Sequence, residues 1–262
     1  MKQSQAKKRD NAMTNKILMG LIALVLGLLF LEILIVHSKN EQQKNVSNQV
    51  QTARIMANGD LLYHDGLYMS ALQADGSYDF TENFTYVKPW LKQADLVLGD
   101  FEGTINPDYP LSGYPLFNAP QSVTAAISDA GYDVMDLAHN HILDSGLEGA
   151  FTTADAFKEV GIDPVGVYEN PVRDKAPLFI KNVNGIKVAI LSYAYGFNGL
   201  ESNLTEKEIA NHLSNLDEKR MKVEIERAEK EADVTVIMPQ MGVEYRLEPT
   251  DEQVKLYHKM ID

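Results

Sequence analysis

Cysteine is absent from the 262 residues, tryptophan occurs once, and basic charge is scarce, with 24 Lys and Arg against 37 Asp and Glu. The missing cysteine excludes a disulfide-built scaffold, a cysteine-ligated zinc or iron–sulfur centre and a cysteine nucleophile. The net charge of −13 excludes a general binder of the nucleic-acid backbone, which needs a basic face, so no nucleic-acid partner is expected. Long apolar runs are also scarce, and only one is long enough to matter below. What is present is an ordinary 45% of hydrophobic residues, enough for a globular core and too many for a disordered chain.

The one long apolar run covers residues 17–36 and carries a single charge, Glu32. At about 1.5 Å per helical residue it reaches about 30 Å, the hydrocarbon thickness of a bilayer. Residues 1–16 hold Lys2, Lys7, Lys8, Arg9 and Lys16 against Asp10, so this segment is expected to stay in the cytoplasm and the remainder to lie outside. A cleaved signal peptide would have a shorter apolar region and a small-x-small site, whereas His37-Ser38-Lys39-Asn40-Glu41 follows here. The expectation is an uncleaved single-pass anchor in the cell membrane. Residues 37–52, polar and rich in Gln and Asn, read as a flexible tether to a domain over 53–262.

Short apolar runs then alternate with helical patterns. Strands are expected at 54–58, 95–98, 133–137, 162–167 and 234–238, and helices at 83–93, 122–130, 147–160, 205–213, 217–231 and 250–262. Asn184-Gly185 between 177–183 and 187–193 signals a hairpin with a type I′ turn. Such alternation predicts an α/β domain with parallel strand pairing. The final helix has no following strand, so the domain is expected to be incomplete at its C-terminus.

Four of the strands finish in polar clusters: Asn58, Asp60, His64 and Asp65; Asp100 and Glu102; His139, Asn140, His141 and Asp144; Gln240 and Glu244. In an open α/β sheet the crevice beyond the carboxyl ends of the strands is where ligands bind. Carboxylates, imidazoles and amides gathered there would suit divalent cations, and a pair of cations would suit phosphate chemistry. Singly, each cluster has a plainer explanation. Gly59-Asp60 and Gly99-Asp100 are common turn chemistry, and Asp144 could cap the helix that follows it. His139-Asn140-His141 is harder to explain by packing.

The blocks Asn58-Gly-Asp-Leu-Leu-Tyr-His64, Asp95-Leu-Val-Leu-Gly-Asp-Phe-Glu102, Ala138-His-Asn-His-Ile-Leu-Asp-Ser-Gly146 and Gly242-Val-Glu-Tyr245 with Pro249 resemble the CapA family. These are poly-γ-glutamate capsule biosynthesis proteins related in fold to calcineurin-like metallophosphoesterases. The resemblance implies a four-layer αββα metallophosphatase-like domain, incomplete at its C-terminus and preceded by one transmembrane helix. It implies two divalent metal ions drawn from Mn, Mg, Fe or Zn. Asp60 and Asn140 would be ligands, Asp100 or Glu102 would supply the bridging or second carboxylate, and His64 would be a nearby histidine of less defined role. His141 would be the general acid, oriented by Asp144. The implied function is capsule biosynthesis, of poly-γ-glutamate or polysaccharide, by a metal-dependent phosphoesterase-type hydrolase. The alternative is a non-catalytic scaffold or export component. Membrane-bound polymer synthase subunits would be partners, and the capsule polymer or a phosphorylated envelope precursor the substrate. Three departures stand out: Asp100 replaces the family's usual Asn, Gln240-Met241 replaces His-Trp, and the family's Gly-x-His-x-His-type block lies beyond residue 262. The outer 246 residues sum to −17, which disfavours extended contact with a polyanion.

Overall fold

The computed structural model describes residues 28, 30–39 and 50–261. The chain divides into two compact units, Met1–Gln51 and Thr52–Asp262. In the first, residues 30–39 are helical and their apolar side chains, Phe30, Ile33 and Val36 among them, are exposed. Most of the expected 17–36 span and 37–52 tether lies outside the described residues. Among the described residues no helix is long and apolar enough to cross a membrane.

The second unit holds two sheets. One is fully parallel in the order β1 (Ile55–Leu62), β2 (Leu96–Glu102), β3 (Val134–Asp136), β4 (Asp163–Val165). The other joins β5 (Ile180–Val183) antiparallel to β6 (Ile186–Ala194), and β6 parallel to β7 (Val234–Gln240). The helices are α1 (Asp65–Ala71), α2 (Lys88–Leu91), α3 (Ser122–Ala130), α4 (Gly146–Glu159), α5 (Glu206–His212), α6 (Glu218–Glu231) and α7 (Asp251–Ile261).

Side chains alternate between the two faces of a strand, and β2 shows where each face goes. Val97 and Phe101 pack with Val123 and Ile127 of α3 and with Phe157 of α4. Leu96 and Leu98 pack with Val134 of β3 and, from the other sheet, Val188 and Ile190 of β6. The outer face of β6, through Ala189, Leu191 and Tyr193, packs on Met221 and Ala228 of α6 and on Leu256 and Met260 of α7. The layers therefore run helices, sheet, sheet, helices. Each fully buried Leu or Phe in these clusters contributes roughly 1.5–3 kcal/mol.

Local chemistry explains the boundaries. α3 ends where Gly131 takes the left-handed conformation at φ 108°, and Asn184 and Gly185 adopt φ 54° and 90° in the β5–β6 turn. The helix expected at 83–93 is broken instead. A 3-10 turn at Thr81–Phe84 is followed by the four-residue α2, which has Pro89 in its first turn. Pro89 supplies no N–H to bond back to the preceding turn, so the two pieces do not fuse. β1 and β2 run four residues further than expected. Asp60, Asp100 and Glu102 lie on the strands themselves rather than in the loops beyond them.

Candidate metal-binding and acid–base site

The row Leu96, Leu98, Asp100, Glu102 occupies one face of β2, so the face that is apolar at its start becomes acidic at its end. In the ladders Asp60 stands opposite Asp100, and Asp100 opposite Asp136, giving one row of aspartates across β1, β2 and β3. Asp60 reaches that position through a β-bulge. Ala57 pairs with Leu98 and Asp60 with Asp100, so Asn58 and Gly59 share the place opposite Gly99. Without the extra residue the alternation would turn Asp60 to the helical face.

Asp100, Glu102 and Asp136 are buried. Burial, then the neighbouring charges of Asp136, Asp60 and Glu102, hold the Asp100 carboxyl far above the usual carboxylate range. Glu102 is raised by burial, by a hydrogen bond with Asp60 and by the Asp60 charge. Asp136 is raised by burial, against the pull of its bonds from Ser192 Oγ, across the sheets on β6, and from the Ala138 N–H at 2.8 Å.

The loop after β3 carries the second half of the site. His139 is fully buried. Its Nδ1 accepts the His141 N–H at 3.1 Å, and burial pushes its pKa down to about 3, so it is a neutral residue that shapes the loop. His141 directs Nδ1 to Asp144 Oδ2 at 2.8 Å, and its Nε2 stands 3.9 Å from Glu102 Oε1. The same Asp144 oxygen accepts the Phe117 N–H at 2.6 Å, and the Phe117 ring meets His141 edge to face at 4.8 Å. Burial alone would lower the His141 pKa. The bond and charge of Asp144, with the charges of Glu102 and Glu244, outweigh it and raise the pKa.

Amides close the third side. Gln240 Nε2, at the end of β7, donates to Asn140 Oδ1 at 2.9 Å, and Asn140 Nδ2 donates to Asn198 Oδ1 at 3.1 Å. Glu244 is exposed and acts on the site through its charge. His64 is not hydrogen-bonded to the cluster. It caps α1 by accepting the Asp65 N–H at Nδ1 and sets its ring edge to face on Phe117 at 5.6 Å.

Asp60, Asp100, Glu102, Asn140, His141, Asp144, Gln240 and Glu244 thus gather at one end of the two sheets, with His139 beneath and His64 beside Phe117. Two residues escaped the sequence reading. Asp136 falls inside the strand expected at 133–137, although Asp at the end of a buried apolar run is itself a signal. Asn198 follows β6, a segment whose sequence signals half of a hairpin and not a site-bearing strand end.

Among the described residues no three His, Cys, Asp or Glu side chains stand in metal-holding geometry. The donor chemistry nevertheless fits a divalent cation. Asp100 Oδ1, Asn58 Oδ1 and Gln240 Oε1 are buried oxygens without a hydrogen-bond partner, and the Asp60 charge helps to raise the pKa of both Asp100 and Glu102 where a cation would relieve them. An oxygen-rich set of this kind suits hard or borderline ions.

An α/β domain of two stacked sheets, with carboxylates, amides and an Asp-held histidine at their common end, is the class of protein these observations define. Residues 54–262 match the model of the bacterial capsule synthesis protein PGA_cap, and the chain belongs to that family. It is 32% identical over 188 residues to the capsule biosynthesis protein CapA of Bacillus anthracis, covering 68% of this chain and 45% of that protein. It is 26% identical over 259 residues to the PGA biosynthesis protein CapA of Bacillus subtilis strain 168, covering 97% of this chain and 66% of that protein. The chain therefore spans less than two thirds of either relative. Among solved structures, one described as a 5'-nucleotidase from Staphylococcus aureus in complex with alpha-ketoglutarate aligns with a TM-score of 0.47 at 15% identity, covering 75% of this chain and 39% of that one. The Thermus thermophilus sulfate thiohydrolase SoxB in complex with glycerol aligns at 0.37 and 17%, covering 62% and 29%.

Proposed function

We propose that this chain is a membrane-anchored, extracytoplasmic CapA-like protein of capsule polymer synthesis whose strand-end site performs metal-dependent phosphoester hydrolysis. The observation that carries the reading is the approach of His141 Nε2 to Glu102 Oε1 at 3.9 Å while His141 Nδ1 is held by Asp144 at 2.8 Å. An acid–base group is thereby oriented over a cluster of carboxylates. Asp60, Asp100 and Glu102, with the amide oxygens of Asn140 and Gln240, would hold divalent cations such as Mn²⁺, Mg²⁺, Fe²⁺ or Zn²⁺. When bound, such ions neutralise phosphoryl charge and lower the pKa of water. His141, kept in one tautomer by Asp144, presents a proton at Nε2 for a leaving oxygen. His139 and Phe117 fix the loop that carries it. The basic N-terminal segment and the 17–36 apolar run support anchoring with the domain outside, next to membrane-bound synthase subunits.

The test is calorimetric titration of the full chain with Mn²⁺, followed by phosphomonoesterase and phosphodiesterase assays with and without chelator. Cation binding and turnover lost in His141→Ala are expected. Absence of both overturns the hydrolase and favours a scaffold or export role beside the synthase. One observation already leans that way: the Asn140 oxygen that the family resemblance assigns to a metal is occupied by the Gln240 amide.

A further inference from the structure

A cavity of about 510 Å³ opens next to the His141–Asp144 pair. Its wall is the segment between β2 and α3, which exposes Tyr109, Leu111, Tyr114 and Leu116. Its floor includes Asp144, and Asp65 stands at its side. The segment is fastened to the acid–base pair. Phe117 donates its N–H to Asp144 Oδ2 at 2.6 Å, sets its ring on His141, and has the Tyr114 ring 6.5 Å away. Gly113 admits Asp65 against the wall, since a Cβ there would lie 2.4 Å from Asp65 Oδ1.

The chemistry of the lining selects a ligand class. Among the described residues no Lys or Arg lines the cavity. A γ-linked glutamate chain brings one free carboxylate per unit into a space already holding Asp65 and Asp144, so it is repelled. What the lining offers is aromatic and aliphatic faces with carboxylate acceptors. Tyr114 is 74% exposed, and the Asp65 carboxylate is exposed beside it. An uncharged hydroxylated ring matches both, laying its C–H face on tyrosine and donating O–H groups to carboxylates. The volume falls in the range of small-ligand sites, about 300–1,000 Å³.

We infer that this cavity is a subsite for an uncharged sugar ring, so the molecule handled at the neighbouring site is a phosphorylated carbohydrate rather than polyglutamate. The inference rests on the proposed function only in treating that ring as part of the substrate. The test is therefore run first in chelator. Saturation-transfer NMR and calorimetry on the full chain compare methyl N-acetylglucosaminide with γ-glutamyl tripeptide. The glycoside is expected to bind and the tripeptide not. Tyr114→Ala should weaken glycoside binding about three- to tenfold, the worth of one aromatic face, while Tyr114→Phe keeps it. Tyr114 is largely exposed, so its truncation leaves the core intact, and Asp65→Asn gives a second variant with the wall unchanged and weaker binding expected. No saturable glycoside binding, tripeptide binding as tight, or an unchanged Tyr114→Ala overturns the inference. Turnover of N-acetylglucosamine 1-phosphate is then compared with that of p-nitrophenyl phosphate in Mn²⁺. Glycoside binding without any turnover leaves the sugar subsite standing and removes the hydrolase. Cation-dependent turnover with no response at Tyr114 does the reverse.

Discussion

Asp60 stands directly opposite Asp100 in the β1–β2 ladder, and a bulge at Asn58 and Gly59 puts it there. The fold spends backbone regularity to bring like charges together. Glu102 completes the trio through its bond with Asp60. Replacing Asp60 with Asn removes one charge and should therefore lower the pKa of both Asp100 and Glu102. In chelator at neutral pH the variant should be more stable than the parent by about 1 kcal/mol, the worth of one pKa unit. Its stabilisation by Mn²⁺ should disappear. Carboxyl carbon titration by NMR and paired melting curves check both halves. A variant destabilised in chelator would show that Asp60 acts by packing or hydrogen bonding instead.

The same carboxylates predict an unusual pH profile. Asp100 and Glu102 have folded pKa values pushed up to about 9 and about 8 from 3.8 and 4.5. Between those limits the unfolded chain has released protons that the folded chain retains, so their contribution to stability is lost as pH rises. His139, held near 3 against an ordinary 6.5, acts in the opposite sense: the unfolded chain binds its proton first, so stability falls as pH drops below about 6.5. The metal-free protein should be most stable in mildly acidic solution and lose stability toward pH 8. Added Mn²⁺ should flatten the alkaline side, because the cation binds the ionised form. Urea unfolding at several pH values with and without Mn²⁺ measures this, and an alkaline side unchanged by the cation would rule out binding at these groups.

Much of this arrangement could be read from residues alone, and the exceptions have physical causes. Gly131 and Asn184-Gly185 declare their backbone conformations, so the end of α3 and the β5–β6 turn are legible locally. The polar clusters after apolar runs point to the end of the sheets where the site lies. The bulge leaves no local trace, because Asn58-Gly59-Asp60 also reads as an ordinary turn, and only pairing with β2 turns it into a ladder irregularity. Asp136 and Asn198 escape for a similar reason. Their roles come from Ser192 and Asn140, which are 56 and 58 residues away. The helix expected at 83–93 fails at Pro89, whose missing N–H leaves the bond to the preceding turn unmade and outweighs the apolar periodicity.

Gly166, directly after β4, supports the His139–His141 loop from below. It adopts φ 96°, and a Cβ there would lie 2.7 Å from the Ala138 N and 2.9 Å from Ser192 Oγ. Ala138 begins the loop, and Ser192 holds Asp136. Gly166→Ala should cost about 2–4 kcal/mol, combining left-handed strain with overpacking. Displacement of Ala138 should also loosen the His141–Asp144 pair. Urea unfolding gives the first number, and the line width of the His141 ring signals checks the second. A loss of stability with His141 unchanged would separate the glycine's packing role from the site.

Asp144 is a positioning residue, since its carboxylate touches His141 and Phe117 rather than reacting groups. Asp144→Asn keeps an oxygen for the Phe117 N–H but removes the charge that helps to raise the His141 pKa. The His141 pKa should fall, and its ring should lose its fixed tautomer. If His141 supplies a proton to the leaving oxygen, less of it is protonated at neutral pH. The alkaline limb of the rate profile should then shift to lower pH. Turnover should drop about 10- to 100-fold, the usual effect of losing a group that orients a functional histidine. The histidine titration followed by NMR and the pH–rate profile should move together, in the same direction and by similar amounts. A variant with lower turnover but an unmoved alkaline limb would mean that His141 orients substrate without transferring a proton.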